Sequence, residues 1–64
     1  MTIILAVEKN PAMEVTFECE RDGYYAAVYE NWGGEWHQTH ESQRYKDREK
    51  AKAAYRRFVK RYIK

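Results

Sequence analysis

The chain has 64 residues, with 12 Lys or Arg against 10 Asp or Glu, so its formal net charge is only +2. A chain of this length builds one domain and leaves little room for the deep cleft that most enzymes need. Its aromatic content of 16% is too high for a disordered tail. No apolar run approaches the ~18 residues of a membrane-spanning helix. The composition therefore predicts one small folded domain.

The small net charge conceals two segments of opposite sign. Residues 1–43 contain two basic and eight acidic groups, a net charge of −6. Residues 44–64 contain ten basic and two acidic groups, a net charge of +8. Such an asymmetry between the two parts of a chain is typical of proteins that bind a charged partner.

Four strands are predicted in the first part of the chain, at about residues 2–8, 13–20, 24–31 and 35–40. The first is apolar and β-branched, and the second alternates apolar and polar side chains with the period of two that marks a half-buried strand. The turn signals between the strands are Asn10-Pro11, Asp22-Gly23 and Gly33-Gly34. Strands joined by such short turns form an antiparallel meander.

The second turn predicts which side chains share a face of the sheet. Asp22-Gly23 suits a two-residue turn with positive φ at both positions, and this turn would pair Cys19 with Ala26. In that register the inner face is apolar and carries Phe17, Cys19, Ala26 and Val28. The outer face carries Glu14, Thr16, Glu18 and Glu20 beside Tyr25, Ala27 and Tyr29.

The fourth strand extends the outer face. Trp36 is predicted to lie on the same side as the two tyrosines whether the loop before it is Gly33-Gly34 or runs from Asn31 to Gly34. Gln38 and His40 follow it at period two. His37 is three positions before His40, so the two histidines are expected to point to opposite faces.

The last part of the chain, at about residues 47–63, is predicted to be a helix with Asp47 as its N-cap. Apolar residues recur at spacings of three and four, at Ala51, Ala54, Tyr55, Phe58, Val59, Tyr62 and Ile63. The opposite side is basic and carries Lys50, Lys52, Arg56, Arg57, Lys60, Arg61 and Lys64. We therefore predict a single α+β domain over residues 1–64, in which a three- to four-stranded antiparallel sheet carries one C-terminal helix on one face. Large aliphatic residues are few, so the core depends on aromatic residues or the chain gains stability from a dimer or a partner.

No catalytic residue, metal site or cofactor is predicted. His37 and His40 have no nucleophile or base at a catalytic spacing, and we interpret them as surface histidines. Cys19 with one histidine would supply only two of the four ligands of a structural zinc. As the only cysteine, Cys19 fits a reducing cytosol, and the first residues lack the basic region and cleavage site of a signal peptide. The sequence thus predicts a non-enzymatic cytoplasmic protein.

The predicted outer face combines carboxylates with large aromatic rings, at Glu14, Glu18, Glu20, Tyr25, Tyr29 and Trp36. The carboxylates alone would fit a solvated strand that resists edge pairing. Exposed tyrosines and tryptophans are typical of protein-binding surfaces, where they act as anchors. We therefore predict that this face binds a basic surface of a larger protein, with the carboxylates steering association.

The basic helix supports an alternative function, the binding of nucleic acid phosphates through Arg56, Arg57, Lys60, Arg61 and Lys64. No Gly, Ser or Asn near the helix start would reach base edges, so this binding would be non-specific. A third possibility is a homodimer in which the acidic sheet of one subunit meets the basic helix of the other. A membrane-surface role is not predicted, because the apolar stripe is needed to close the core.

Strands joined by tight turns and followed by residues 45–51 (YKDREKA) at a helix start resemble the sheet-plus-helix DNA-binding domains of integrase arms and plant ethylene-response factors. The resemblance covers about residues 13–62. Those domains bind DNA with the exposed sheet face. Here that face carries Glu14, Glu18 and Glu20, whose carboxylates would repel phosphates.

The whole chain is also similar, in size and surface character, to small phage-encoded inhibitors, including anti-CRISPR proteins. Many of these occupy basic channels that bind nucleic acid. This resemblance implies that the acidic and aromatic outer face occupies such a surface on a larger protein.

Overall fold

The computed structural model describes residues 1–63. They form, in chain order, β1 (Ile3–Lys9), β2 (Met13–Glu20), β3 (Gly23–Trp32), β4 (Glu35–Glu41) and α1 (Arg48–Tyr62). The strands make one antiparallel sheet in the order β1-β2-β3-β4, and α1 packs across β2 and β3. The prediction of an α+β fold with an antiparallel meander and one C-terminal helix is confirmed, and the predicted bounds differ from these by no more than one residue.

The hairpin between β2 and β3 differs from the predicted one. Glu20 pairs with Gly23, so the loop is Arg21-Asp22, and no residue other than glycine in the described chain has a positive φ. Gly23 has a φ of 144°, and a Cβ built on it would lie 2.6 Å from the carbonyl oxygen of Tyr45. The glycine therefore belongs to β3 and leaves room for the segment that precedes α1.

The predicted pairing of Cys19 with Ala26 is consequently wrong. Phe17 pairs with Ala26, and Cys19 pairs with Tyr24. Because this register differs from the predicted one by two residues, every side chain of β2 and β3 keeps its predicted face. The inner face does pack against the helix, since the rings of Phe17 and Tyr55 stack with their centroids 5.9 Å apart.

The hairpin between β3 and β4 has the predicted Gly33-Gly34 turn, with φ values of 61° and 95°. The register then shifts between Val28 and Tyr29, which makes Thr39 an extra residue in β4.

This bulge reverses the predicted orientation of His40. It pairs with Val28 and its ring lies 5.1 Å from that of Tyr62, so it points toward the helix and not to the outer face. His37 stacks on Trp32 at 4.4 Å on the same helix side. The prediction that the two histidines point to opposite faces is therefore wrong, because it assumed an unbroken period of two.

The helix begins as predicted, because the side chain of Asp47 accepts a hydrogen bond from the backbone N–H of Glu49 at 2.9 Å. Small residues let the helix approach the sheet closely, and Ala51 and Ala54 are buried. The apolar core consists of these alanines with Val15, Phe17, Ala26 and Val28. Among residues 1–63, no helix has the length and apolar character that a membrane span requires.

The aliphatic residues of β1 contribute little to this core. Ile3, Ile4, Leu5 and Val7 are 54%, 60%, 37% and 47% exposed. A helix about 10 Å wide covers only about two strands spaced ~4.8 Å apart, and α1 lies over the two central strands. The most aliphatic segment of the chain therefore forms an exposed edge of the sheet.

Candidate protein-binding face

The six predicted binding residues lie on one face of the sheet, which we call the outer face because it is opposite α1. They come from three adjacent strands and are Glu14, Glu18, Glu20, Tyr25, Tyr29 and Trp36. Glu18 pairs with Tyr25, and Glu14 pairs with Tyr29. Trp36 pairs with Asn31, which places it diagonally beside Tyr29. The antiparallel register thus brings together the residues that the sequence pattern assigned to this face.

Two of these residues are not exposed as expected. Glu18 is 4% exposed and Tyr25 is 5% exposed, although no helix or strand of residues 1–63 covers this side of the sheet. Glu14, Glu20 and Tyr29 are half-buried, while Trp36 is 44% exposed. The expectation that these residues are exposed is therefore wrong for Glu18 and Tyr25, because the long side chains of this face cover one another.

A hydrogen-bonded cluster accounts for the burial of Glu18. Its Oε1 accepts from the hydroxyl of Tyr25 at 3.0 Å, and its Oε2 accepts from Thr16 at 2.5 Å and from Tyr29 at 3.2 Å. A buried carboxylate is tolerated when several donors replace its hydration. We call Thr16, Glu18, Glu20, Tyr25 and Tyr29 the tyrosine–glutamate cluster.

The two tyrosines of the cluster are strongly held in their neutral form. The hydroxyl of Tyr25 lies 3.0 Å from Glu18 and 2.9 Å from Glu20, and because a phenol has one hydrogen it donates to one carboxylate at a time. Burial, together with these carboxylates, raises the pKa of Tyr25 well above its ordinary value. Burial and the charge of Glu18 raise the pKa of Tyr29 to about 12.

Arg44 completes this region from the loop between β4 and α1. Its guanidinium carbon lies 4.3 Å from the centroid of the Tyr25 ring. It also forms ion pairs with Glu41, with Glu20 at 3.4 Å and with Asp22 at 3.4 Å. The hydrogen bond with Glu41 is the main cause that raises the pKa of Arg44. The outer face therefore already binds one guanidinium by stacking and by charge.

The tyrosine–glutamate cluster also changes the pKa of the Glu20 carboxyl group. The hydrogen bond from Tyr25 is the main cause that lowers its pKa, with smaller contributions from Thr2 and Arg44, although partial burial opposes them.

Sequence reasoning did not identify Arg44 as a member of this region. No local pattern marks it, because its partners come from three separate segments.

The rest of the outer face is apolar at both edges. Trp36 and Tyr29 lie on the β4 side, and Ile4 and Val7 pair with β2 residues of the outer face on the β1 side. Ile4 and Val7 are both exposed. The cluster occupies the centre, so the face presents aromatic rings and aliphatic groups around a set of carboxylates.

The basic side of α1 lies on the opposite surface of the molecule. Arg56, Arg57, Lys60 and Arg61 are exposed there, whereas Lys64 lies outside the described residues. Within residues 1–63, ion pairs closer than 4.0 Å involve Arg44 and His37, and none involves a cation of α1. The charge of this surface is therefore not neutralised by the protein itself.

The described residues hold no group of three or more His, Cys, Asp and Glu side chains that could bind a metal. Cys19 is a half-buried free thiol beside a shallow, open depression at the β2–β3 hairpin.

No protein-family model, curated protein or solved structure matches this chain.

Proposed function

We propose that this chain is a non-enzymatic protein-binding module whose outer face docks on a basic surface of a larger protein. The observation that carries the proposal is the binding of Arg44 by the ring of Tyr25 and by carboxylates. This internal contact is the arrangement that a partner's arginine would make with an acidic and aromatic surface.

A second set of similar groups lies next to the first. Glu14, Tyr29 and Trp36 run diagonally across β2, β3 and β4, and the two rings are partly exposed. A carboxylate beside two aromatic rings suits an arginine or lysine side chain, which would stack on a ring and pair with the charge.

The cluster also lowers the cost of binding. Hydrogen bonds to Glu18 hold Tyr25 and Tyr29 in place before any partner arrives. Rings that are already ordered lose less conformational entropy on association than free ones do. Trp36 would supply the large anchor that protein interfaces commonly contain.

The negative charge of the outer face indicates the class of partner. A basic surface that normally holds nucleic acid has the complementary charge, and an acidic protein seated on it would exclude the nucleic acid. An inhibitor encoded by a phage or another mobile element is the kind of protein that our proposal describes.

The two tryptophans provide a matched test. Trp32 and Trp36 flank the same turn and are 55% and 44% exposed, but Trp32 stacks on His37 on the helix side of the sheet. We expect Trp36→Ala to abolish the capture of a protein partner from a lysate, and Trp32→Ala to leave it unchanged. Both variants should keep the wild-type circular dichroism spectrum.

Equal capture by Trp36→Ala and wild type would contradict the proposal. Loss of capture by both variants would also contradict it, because the binding would then not depend on the outer face. Recovery of nucleic acid in place of a protein would favour the second candidate function.

That second candidate is nucleic acid binding by the basic side of α1. It is favoured by the cations there, none of which pairs with a carboxylate within residues 1–63. Electrostatic binding of this kind weakens steeply as salt is added. We expect any such complex to be visible in a gel shift at ~50 mM salt, where screening is weak. The double variant Arg56→Gln/Arg57→Gln should weaken it, whereas Lys9→Gln on β1 should not. Absence of a shift at that salt concentration would exclude this candidate.

A further inference from the structure

The helix side of the sheet carries exposed aromatic rings along β4. Trp32 is 55% exposed, and one face of its indole stacks on His37 with the ring centroids 4.4 Å apart. Further along β4, the exposed ring of His40 lies 5.1 Å from the ring of Tyr62 in α1. The two histidines are no more than about 10 Å apart along the strand, at ~3.4 Å per residue. We call Trp32, His37, His40 and Tyr62 the aromatic row.

A line of cations on α1 borders the aromatic row. The guanidinium carbon of Arg61 lies 5.6 Å from the centroid of the Tyr62 ring. Lys50 and Arg57 lie on the same flank of α1 as Arg61, because residues spaced by seven and four positions face the same way at about 100° per residue. All three cations are exposed, and none of them pairs with a carboxylate within residues 1–63. This part of the chain therefore leaves the positive charge beside the rings without a counterion.

Two carboxylates lie at the opposite end of the row, near the β3–β4 turn. Glu35 pairs with Trp32 across the two strands, and its Oε1 lies 3.4 Å from Nε2 of His37. Glu30 pairs with His37 on the same side of the sheet. These carboxylates would repel a phosphate but not an uncharged ring. A ligand that suits the surface therefore places anionic groups on α1 and a flat, uncharged group on Trp32.

We propose that the aromatic row and its neighbouring cations bind a single-stranded nucleic acid. Its unpaired bases would stack on the rings, and its phosphates would pair with Lys50, Arg57 and Arg61. Proteins that bind single strands combine aromatic side chains with a positively charged track in this way, because every base has a π-face. In a duplex the bases stack on one another and cannot reach Trp32. The inference rests on the second candidate function, nucleic acid binding by α1, and adds which form of nucleic acid is bound and which residues select it.

The outer face does not suit this ligand, although it also has exposed rings. Tyr29 and Trp36 share that face with Glu14 and with the carboxylates of the tyrosine–glutamate cluster, which would repel phosphates. Of the two tryptophans, Trp32 is the one on the side of the sheet that carries α1. The protein partner proposed for the outer face and the nucleic acid proposed here would therefore bind opposite surfaces and would not compete.

Fluorescence anisotropy with labelled oligonucleotides tests the preference for a single strand. The probes are a DNA strand of about 15 nucleotides, its duplex and an RNA strand of the same sequence, each at ~50 mM salt, where screening is weak. Cations alone would bind the duplex at least as tightly, because it has one charge per ~1.7 Å and each strand has one per ~3.4 Å. We expect the DNA strand to bind at least about threefold more tightly than the duplex, because its bases can stack on the row. The RNA strand should bind within about threefold of the DNA strand, because the proposed contacts do not involve the 2′-hydroxyl.

Variants of the two tryptophans locate the stacking. Trp32→Ala should raise the dissociation constant for the DNA strand at least about fivefold, because it removes a stacked base. Trp32→Phe keeps an aromatic face and should stay within about threefold of wild type. Trp36→Ala removes the ring of the outer face and should stay within about twofold. Circular dichroism establishes that each variant is folded.

The salt dependence of binding measures the contact with phosphates. Three cations on a single strand predict a slope of about −2 for the logarithm of the binding constant against the logarithm of salt concentration, at about −0.7 per phosphate. The double variant Arg57→Gln/Arg61→Gln should reduce the magnitude of this slope by about 1.4. Lys52→Gln is the matched control and should leave the slope unchanged, because Lys52 lies on the opposite flank of α1 from Arg61 at about 100° per residue.

Four results would overturn the proposal. Duplex binding as tight as that of the single strand, or a single-strand affinity that Trp32→Ala does not change, would overturn it and leave the second candidate function standing. A difference of more than about threefold between the DNA and RNA strands would also overturn it, because contact with the sugar would then govern binding. Absence of binding to every probe would overturn both and would favour an acidic protein as the ligand. None of these results bears on the outer face, whose function is tested by the capture of a protein partner.

Discussion

The outer face of the sheet and the basic side of α1 carry opposite charges, and they also use those charges differently. On the outer face, the carboxylates of Glu18 and Glu20 accept hydrogen bonds from tyrosines, and Glu20 also pairs with Arg44. On α1, no cation within residues 1–63 lies within 4.0 Å of a carboxylate. Two carboxylates of the outer face therefore serve the internal structure, whereas the cations of α1 have no such internal role within residues 1–63.

The difference arises from the secondary structure that presents the charges. Cross-strand neighbours on a sheet are about 5 Å apart, so tyrosine hydroxyls reach carboxylates on the next strand. Cations on the solvent side of a helix have only each other as neighbours, and α1 has Glu49 as its acidic residue in the first turn. Variants that disturb the tyrosine–glutamate cluster should therefore lower stability, whereas variants of the basic side of α1 should change stability little.

The largest loss of stability is expected from Gly23→Ala. The added Cβ would meet the backbone oxygen of Tyr45 at 2.6 Å, and this segment carries Arg44 to the outer face. Overpacking against backbone with an unfavourable φ should cost about 3 kcal/mol of unfolding free energy in urea titrations.

Gly33→Ala is the matched control for this substitution. Gly33 has a φ of 61° and no atom within 4 Å of a built Cβ. Its replacement should cost only about 1 kcal/mol, from backbone conformation alone. Equal losses at the two glycines would show that the contact with Tyr45 is unimportant.

Glu18→Ala should have the next largest effect. It removes this acceptor from the buried hydroxyls of Thr16 and Tyr25 and from the half-buried hydroxyl of Tyr29, which should cost about 2 kcal/mol of unfolding free energy. Glu14→Ala, on the same strand and face but half-buried, should change stability by less than about 0.5 kcal/mol. Comparable losses for the two glutamates would contradict a special role for the cluster.

Arg44→Gln should lower stability by less than Glu18→Ala does, because its ion pairs are partly exposed to solvent. Within residues 1–63, Arg57 of α1 forms no ion pair, so Arg57→Gln should leave the urea midpoint unchanged or slightly raised. A fall in the midpoint for Arg57→Gln as large as that for Arg44→Gln would remove the distinction between the two surfaces.

The smallest expected effect is the contribution of the tyrosines to the pH dependence of stability, which appears only at alkaline pH. The pKa of Tyr29 is raised from 10.0 to about 12 in the folded protein, so folding favours its protonated form. Its contribution to stability is complete below pH 10 and is lost as the pH rises toward 12. We expect the urea midpoint to fall over this range, and to fall less in Tyr29→Phe. An equal decline in both proteins would contradict this assignment.

The sequence pattern predicted the faces of β2 and β3 better than their pairing. A period of two is unchanged when a strand slips by two residues, so Phe17 and Glu18 kept their faces although their partners changed. The turn was placed wrongly because Gly23 is needed for its approach to Tyr45, a contact between distant segments. The bulge at Thr39, which reversed His40, has no local sequence signal.

The burial of residues on the outer face could not be predicted from the pattern of polar and apolar residues along the sequence. Glu18 and Tyr25 were each predicted to be exposed because their side chains are polar. Both are buried because the hydroxyl of Tyr25 donates a hydrogen bond to the carboxylate of Glu18 on the neighbouring strand. Arg44 was missed for the same reason, since Glu41, Glu20 and Asp22 converge on it only in the folded chain. The aliphatic side chains of β1 lie outside the core, because one helix covers only two strands.

The tight Gly33-Gly34 turn has a practical consequence for experiments. It separates the only two tryptophans of the chain and points them to opposite sides of the sheet. Each indole is therefore a native fluorophore that reports on one surface. Trp36→Phe leaves an emission signal from Trp32 alone, which senses the helix side, and Trp32→Phe leaves a signal for the outer face. A titration of either single-tryptophan protein would assign a bound molecule to its surface without any attached label.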